Sequence, residues 1–272
     1  MKSKSKKNWL LYISFFYIIG AVLVCFCGQR FLKYTYFMQD LDLGAVAPCA
    51  EHLFGTDIYG RDMLSRLLYG GKISLTVGSC VTLVAMIFGT FYGIVSGYAG
   101  GMVDLMMMRF VDVLYPIPLI LLVILFMVFF GKGYFILFLA MVFVEWLTPA
   151  RVIRSEVMLL KETGFVLAAK CLGQSRLGVI RKHIFPNLVG LIGSYAALML
   201  PSVILMESFL SFIGVGVQAP RSSIGLLIAD GTRYMDSYPW LLTIPCLLFV
   251  FMLLSLNIIA ESISAKRYRL FV

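Results

Sequence analysis

Charge is scarce in this chain of 272 residues. Only 14% of positions are Asp, Glu, Lys or Arg, against about 25% in an average soluble domain. Hydrophobic residues fill 61%, where about 45–50% is usual. A soluble globule could not hide that much apolar surface behind so little charge. The same figures exclude a disordered chain, a collagen-like repeat and a disulfide scaffold. A bilayer is the environment that remains.

Reactive groups are scarce as well. There are two histidines, His52 and His183, and six cysteines. The histidines are expected on opposite sides of the membrane, where they cannot share a metal. Cys25, Cys27, Cys80 and Cys246 fall in apolar runs, Cys171 on the inner side, and Cys49 alone in an external segment. No C-x-x-C occurs, so the cysteines read as small apolar fillers. A zinc or haem enzyme is therefore not expected. Gly71-Lys72 and Gly131-Lys132 are the nearest approaches to a phosphate-binding G-x-x-x-x-G-K-[ST], and neither is followed by Ser or Thr. No G-x-S-x-G or H-E-x-x-H is present either.

What is abundant is apolar runs near the 20 or so residues that cross a bilayer. Six are predicted: Trp9 to Cys27, Ile73 to Gly97, Phe110 to Phe130, Phe135 to Leu147 with an extension to Ile153, Leu188 to Val215, and Trp240 to Ala260. They are continuous, as in Leu119 to Phe130, and lack the alternation of barrel strands. The expected fold class is an all-α polytopic membrane protein with six transmembrane helices. The first run follows a basic start but has no small-x-small cleavage site, so it reads as a retained anchor.

The basic residues orient these spans. Lys2, Lys4, Lys6 and Lys7 precede the first, and Arg109 lies between the second and third. Arg151, Arg154, Lys161, Lys170, Arg176, Arg181 and Lys182 fall between the fourth and fifth, and Lys266, Arg267 and Arg269 follow the sixth. The positive-inside rule puts these segments, and both termini, in the cytoplasm. The net charge of +9 is thus a topology signal, and no nucleic-acid partner is expected. The chain divides into a tail and first helix over 1–28, an external segment over 29–71, a five-helix core over 72–264 and a cytoplasmic tail over 265–272.

Within the spans, Gly89, Gly93, Gly97 and Gly101 recur every four residues and predict a close helix contact. Pro116, Pro118, Pro201 and Pro245 predict broken or bent helices, which in membranes line cavities or moving interfaces. Asp112, Glu145 and Glu207 are intramembrane acids without evident basic partners. Each reads either as a packed, hydrogen-bonded residue or as the wall of a watery cavity. Glu207, Pro201 and Asp112 are the candidate lining of a translocation pathway.

Residues 151–186 are the most informative stretch. Thr163-Gly164 opens a short helix over Phe165, Val166, Leu167, Ala168, Ala169, Lys170, Cys171 and Leu172, which Gly173 stops. Ser175 caps a second helix to about Phe185, and Pro186 suits the first turn of the fifth span. The first helix is a small apolar knob. It fits a groove on a partner protein or the lipid surface equally well.

The motifs along the chain resemble one known family. Ala168-Ala169, Gly173 and Ile184-Phe185-Pro186 resemble the EAA loop of bacterial ABC-importer permeases. His52-Leu53-Phe54-Gly55-Thr56-Asp57, Gly60-Arg61-Asp62 and Ser65-Arg66 resemble the segment before the second span in the dipeptide/oligopeptide/nickel permeases. Ser208 to Gln218 with Pro220, then Asp230-Gly231 and Asn257, also match in order. The similarity runs from residue 52 to the C-terminus and is strongest to the second permease subunit of oligopeptide and dipeptide importers. Leu167 stands where that family has Glu, and Glu145 beside Trp146 is also a departure.

The resemblance implies a type I ABC-importer permease fold in the bacterial inner membrane. It implies a non-catalytic subunit forming half of a pathway for di- or oligopeptides, with nickel or another small solute as the alternative cargo. A membrane anchor or membrane enzyme is the less favoured class. The implied partners are a homologous second permease, two cytoplasmic ATPases, an external solute-binding protein and the lipid bilayer. ATP and magnesium belong to the ATPases, and this chain binds no cofactor. Phe165, Leu167, Ala168, Ala169, Leu172, Gly173 and Pro186 would form the ATPase-coupling loop. Asp57, Arg61 and Asp62 would lie near the binding protein, although Gly-Thr-Asp and Gly-Arg-Asp by themselves read as turns.

Overall fold

A computed structural model describes residues 2–131, 133–217 and 221–268, with the side chains of 2–8 and 266–268 excepted. Gln218, Pro220 and Arg269 of the sequence motifs lie outside the described residues. Helices dominate: α1 (Lys2–Cys27), α2 (Met63–Ala99), α3 (Gly101–Leu114), α4 (Leu119–Phe130), α5 (Tyr134–Glu145) and α6 (Leu147–Leu160). They continue with α7 (Gly164–Cys171), α8 (Arg176–Val179), α9 (Phe185–Phe212), α10 (Ile224–Arg233) and α11 (Trp240–Tyr268). Among the described residues five helices are long and apolar enough to cross a membrane, and a bent pair makes a sixth.

That bent pair corrects one expectation. The run Phe110 to Phe130 is not one helix, because α3 and α4 meet at 84°. Pro116 and Pro118 explain the break. Each removes a backbone donor from the helical ladder, although Tyr115, just before Pro116, keeps a helical backbone. Pro118 then sits extended at the start of α4.

α2 also differs from its predicted extent. It starts at Met63 and runs 37 residues, about 55 Å at 1.5 Å per residue, well beyond the roughly 30 Å apolar core of a bilayer. Residues 63–71, assigned from hydropathy to the external segment, are its first turns. Arg66 and Lys72 interrupt the apolar run, so hydropathy places the start too late. Asp62 caps the helix by accepting from Ser65 N at 2.8 Å.

The fourth span extends over Tyr134–Leu160 with a break at Trp146. The second helix of the predicted hairpin merges with the fifth span into one span over Arg176–Phe212. Between them lies a π-helical turn, Ile180–Ile184, in which Phe185 N donates to Ile180 O. Pro186 has no N–H to give, and its ring would crowd the carbonyl of an ideal turn. The wider turn removes that conflict.

The densest packing joins α2 to α6. A Cβ on Gly89 would lie 2.6 Å from Pro149 Cβ, one on Gly93 2.6 Å from Ala150 O, and one on Gly97 2.8 Å from Arg154 O. The three glycines therefore let the two backbones touch. Gly101 is not part of this face: it has positive φ (+55°) and nothing within reach. At the same end, Asp104 of α3 accepts from Arg154 and from Ser96, locking α3, α6 and α2 together.

The segment 28–62 folds back on the opposite end of the bundle. Tyr36 stacks on Tyr69 at 3.6 Å, and Trp240 Nε1 donates to Thr56 O at 3.3 Å. Asp57 is buried in a turn, accepting from Tyr59 N and Arg61 N. It also accepts from Arg61 Nε and from Arg66. His52 Nδ1 lies 3.0 Å from Asp62 Oδ1.

Candidate functional site

The candidate site is the hairpin between α6 and α9. α6 ends at Leu160, and α7 turns away after Thr163, whose hydroxyl donates to Leu160 O at 2.6 Å. Val166 and Ala169, three residues apart, share one face of α7 and are buried. They pack in a cluster with Ile94 of α2, Ile153 and Val157 of α6, Val179 and Ile184 of the hairpin's second arm, and Leu188 of α9. The knob thus stands on a rigid apolar base shared by three long helices.

The other face of the knob is bare. Phe165 is 45% exposed, Leu167 48% and Leu172 88%, and Ala168 is exposed beside them. Gly173 ends α7 with φ +76°. There Gly173 N donates to Lys170 O, and Gln174 N to Ala169 O. A Cβ at Gly173 would meet nothing within 4 Å, so backbone conformation alone selects glycine there. Ser175 caps α8 by accepting from Gly178 N at 3.2 Å. Pro186 is exposed and acts through the π turn described above.

Polar contacts fix the hairpin to the bundle. His183 Nε2 pairs with Gln174 Oε1 at 2.9 Å. Lys161 Nζ donates to Gly97 O at 3.1 Å, and Lys170 lies over the Tyr98 ring at 5.7 Å. Leu177 is a residue that sequence motifs missed. It is 79% exposed on the next turn of the hairpin and widens the apolar surface. Its signal in the sequence was an apolar residue between Arg176 and Gly178, just after the capping Ser175. Lys170, Arg176, Arg181 and Lys182 of the same hairpin are exposed as well.

The three pathway candidates do not come together. Glu207 of α9 is fully buried. It accepts from Ser74 Oγ of α2 at 2.6 Å, Ser211 Oγ at 2.8 Å and Ser208 Oγ at 3.3 Å. Pro201 is buried one and a half turns away on the same helix. Asp112 is half exposed, and its expected lack of a basic partner is corrected: Arg151 Nη2 lies 2.7 Å from it. Sequence separation hid this pair, because α3 and α6 become neighbours only through their shared contact with α2.

A family model described as binding-protein-dependent transport system inner membrane component matches residues 89–267. The chain is 43% identical over 250 residues to the oligopeptide transport system permease protein OppC of Haemophilus influenzae, covering 90% of this chain and 80% of that one. It is 41% identical over 233 residues to OppC of Escherichia coli strain K12, covering 85% and 77%. To the dipeptide transport system permease protein DppC of Bacillus subtilis it is 36% identical over 259 residues, covering 95% and 81%. Among solved structures, an inward-facing MetNI methionine ABC transporter matches with a TM-score of 0.56 at 17% identity, covering 75% of this chain and 97% of that one. At that identity the likeness establishes the fold alone. Membrane components of this kind work with ATPase and permease partners. With its apolar spans, its permease fold and its family match, the chain is a multi-pass membrane subunit that belongs to the binding-protein-dependent transport system inner membrane components, the permeases of ABC importers.

Proposed function

We propose that this chain forms half of a di- or oligopeptide translocation pathway in a bacterial inner membrane, both termini cytoplasmic. A second, homologous permease completes the pathway, and an external solute-binding protein delivers the peptide. The α6–α9 hairpin docks one of two ATPases, which bind the ATP and magnesium. The observation that carries this reading is the two-faced knob: Val166 and Ala169 fixed in the core, with Phe165, Leu167 and Leu172 bare.

Such a knob suits force transmission. Its buried face joins it to α2, α6 and α9, so a push on the exposed face moves whole helices and not a loop. Closure of the ATPases on ATP then becomes rigid-body motion of the permease. The exposed basic residues of the hairpin, Lys170, Arg176, Arg181 and Lys182, favour a groove with acidic groups near it. Leu167 in place of the family's Glu makes this contact apolar.

The test is ATPase retention on purification of the complete importer. Leu172→Glu should strip the ATPases from the permease pair while the permeases still co-purify. Undiminished retention and uptake in that variant would sink the docking assignment. Uptake of labelled di- and oligopeptides against nickel by the same importer separates the two cargoes.

A further inference from the structure

A second polar site lies in the membrane-spanning region, where the 134–160 span breaks at Trp146. Glu145 ends α5 there, at the bend into α6. Thr148 of α6 and Tyr195 and Ser202 of α9 line the same cavity of about 180 Å³, with Leu198 and Met199 as its apolar wall. Glu145 is partly exposed to this space. Among the described residues its carboxylate has neither an ion pair nor a side-chain hydrogen bond. The nearest base in sequence, Arg151, is engaged elsewhere, 2.7 Å from Asp112 and 4.1 Å above the Tyr115 ring.

An acid at this depth is expensive to maintain unless a counter-charge or a cavity offsets the cost. Here the cavity is present and the protein supplies no counter-charge from the described residues. Three hydroxyls beside one carboxylate make an acceptor set for an ammonium or guanidinium group. Leu198 and Met199 suit the aliphatic stem behind such a group. Glu207, in contrast, is fully buried and accepts from three serine hydroxyls. Among the described residues no set of three metal-ligating side chains comes together, so a coordinated metal ion is the poorer fit.

We propose that the Glu145–Thr148–Tyr195–Ser202 cleft is a way-station for the cationic side chain of a passing peptide, lysyl or arginyl. The inference rests on the peptide-permease reading and extends it to a preference among peptides. The carboxylate lowers the cost of bringing a positive group into the membrane-spanning region. Neutral and acidic peptides gain nothing from it.

The test uses the complete importer in proteoliposomes: this chain, its permease partner, the ATPases and the binding protein. Labelled Ala-Lys-Ala and Ala-Glu-Ala are followed in parallel at saturating binding protein. Glu145→Gln is expected to lower the lysyl-to-glutamyl uptake ratio by about tenfold, the scale of one lost charge contact. Glu145→Asp, which keeps the charge, should hold the ratio within about threefold of the parent. Continued glutamyl uptake reports that the variant is assembled. An unchanged ratio in Glu145→Gln overturns the proposal, whether both peptides pass normally or both are lost together. A parent importer that carries neither peptide removes the peptide reading itself, which is a separate outcome from an unchanged ratio.

Discussion

Arg66 Nη2 and Asp230 Oδ2 stand 3.1 Å apart although 164 positions separate the two residues. The same guanidinium donates to Asp57. One side chain therefore ties the first turn of α2 to the folded-back segment and to α10. Arg66 and Asp57 are both 4% exposed at their side chains. Removing the arginine leaves Asp57 with Arg61 as its remaining counter-charge and takes away the cation paired with Asp230, so the loss is expected below the roughly 3–5 kcal/mol of a fully stranded buried charge. Arg66→Met is expected to lower the thermal midpoint of the purified permease pair and to reduce its membrane level. A midpoint within a degree or two of the parent would show that the pair adds little.

The α2–α6 contact makes a second prediction. Gly93→Leu places a side chain where Ala150 O and Arg154 N already stand, 2.6 and 2.9 Å from the new Cβ. Overpacking of this kind costs about 1–3 kcal/mol or more. Because α6 carries the hairpin, uptake should fall further than membrane abundance. Gly20→Ala is the control, since a Cβ there meets nothing within 4 Å. Quantitative immunoblots beside uptake rates would separate the two effects, and equal behaviour of the two variants would contradict the packing argument.

Gly173→Val tests the end of the knob. Space is not the obstacle; the left-handed backbone is, at roughly 1–2 kcal/mol for a residue with a Cβ. The variant is expected to reach the membrane at near-parent levels, because Gly173 lies outside the core. Uptake should be abolished, since the chain after α7 leaves in a different direction and turns Leu172 away from its groove. Normal uptake with normal ATPase retention would refute the role given to this turn.

Glu207 separates a structural role from a pathway role. Glu207→Leu removes the acceptor for Ser74, Ser208 and Ser211 together and strands their hydroxyls in the core, at about 1–3 kcal/mol for each group left unsatisfied. Loss of assembled protein should account for the whole loss of uptake. Glu207→Gln keeps the shape and one acceptor oxygen, so it should fall between the parent and the leucine variant on both scales. Full abundance with lost uptake in Glu207→Gln would instead return this residue to the pathway.

Much of the architecture was legible in the chain itself. Apolar runs have to be hidden from water by lipid, so Trp9 to Cys27 and Trp240 to Ala260 announced their helices without reference to any neighbour. Gly173 and Ser175 announced the hairpin because caps and left-handed turns depend on local backbone chemistry. The glycines at 89, 93 and 97 announced a close contact for the same reason, since a missing side chain is visible in sequence.

What touches those glycines was not visible, and neither was the start of α2. Arg66 looked like an interruption of an apolar run because its partners, Asp57 and Asp230, are brought to it only by folding. Asp112 looked unpaired until α3 and α6 met. Glu145 and Glu207 are the same residue type on two apolar helices, and composition could not tell them apart. Tertiary structure did, by surrounding one with serine hydroxyls and leaving the other beside an open cavity. Local sequence thus determined where helices run and where the chain turns, because those follow from hydropathy and backbone conformation. Which charges are neutralised and which remain available was decided by packing alone, because counter-charge is a property of neighbours in space.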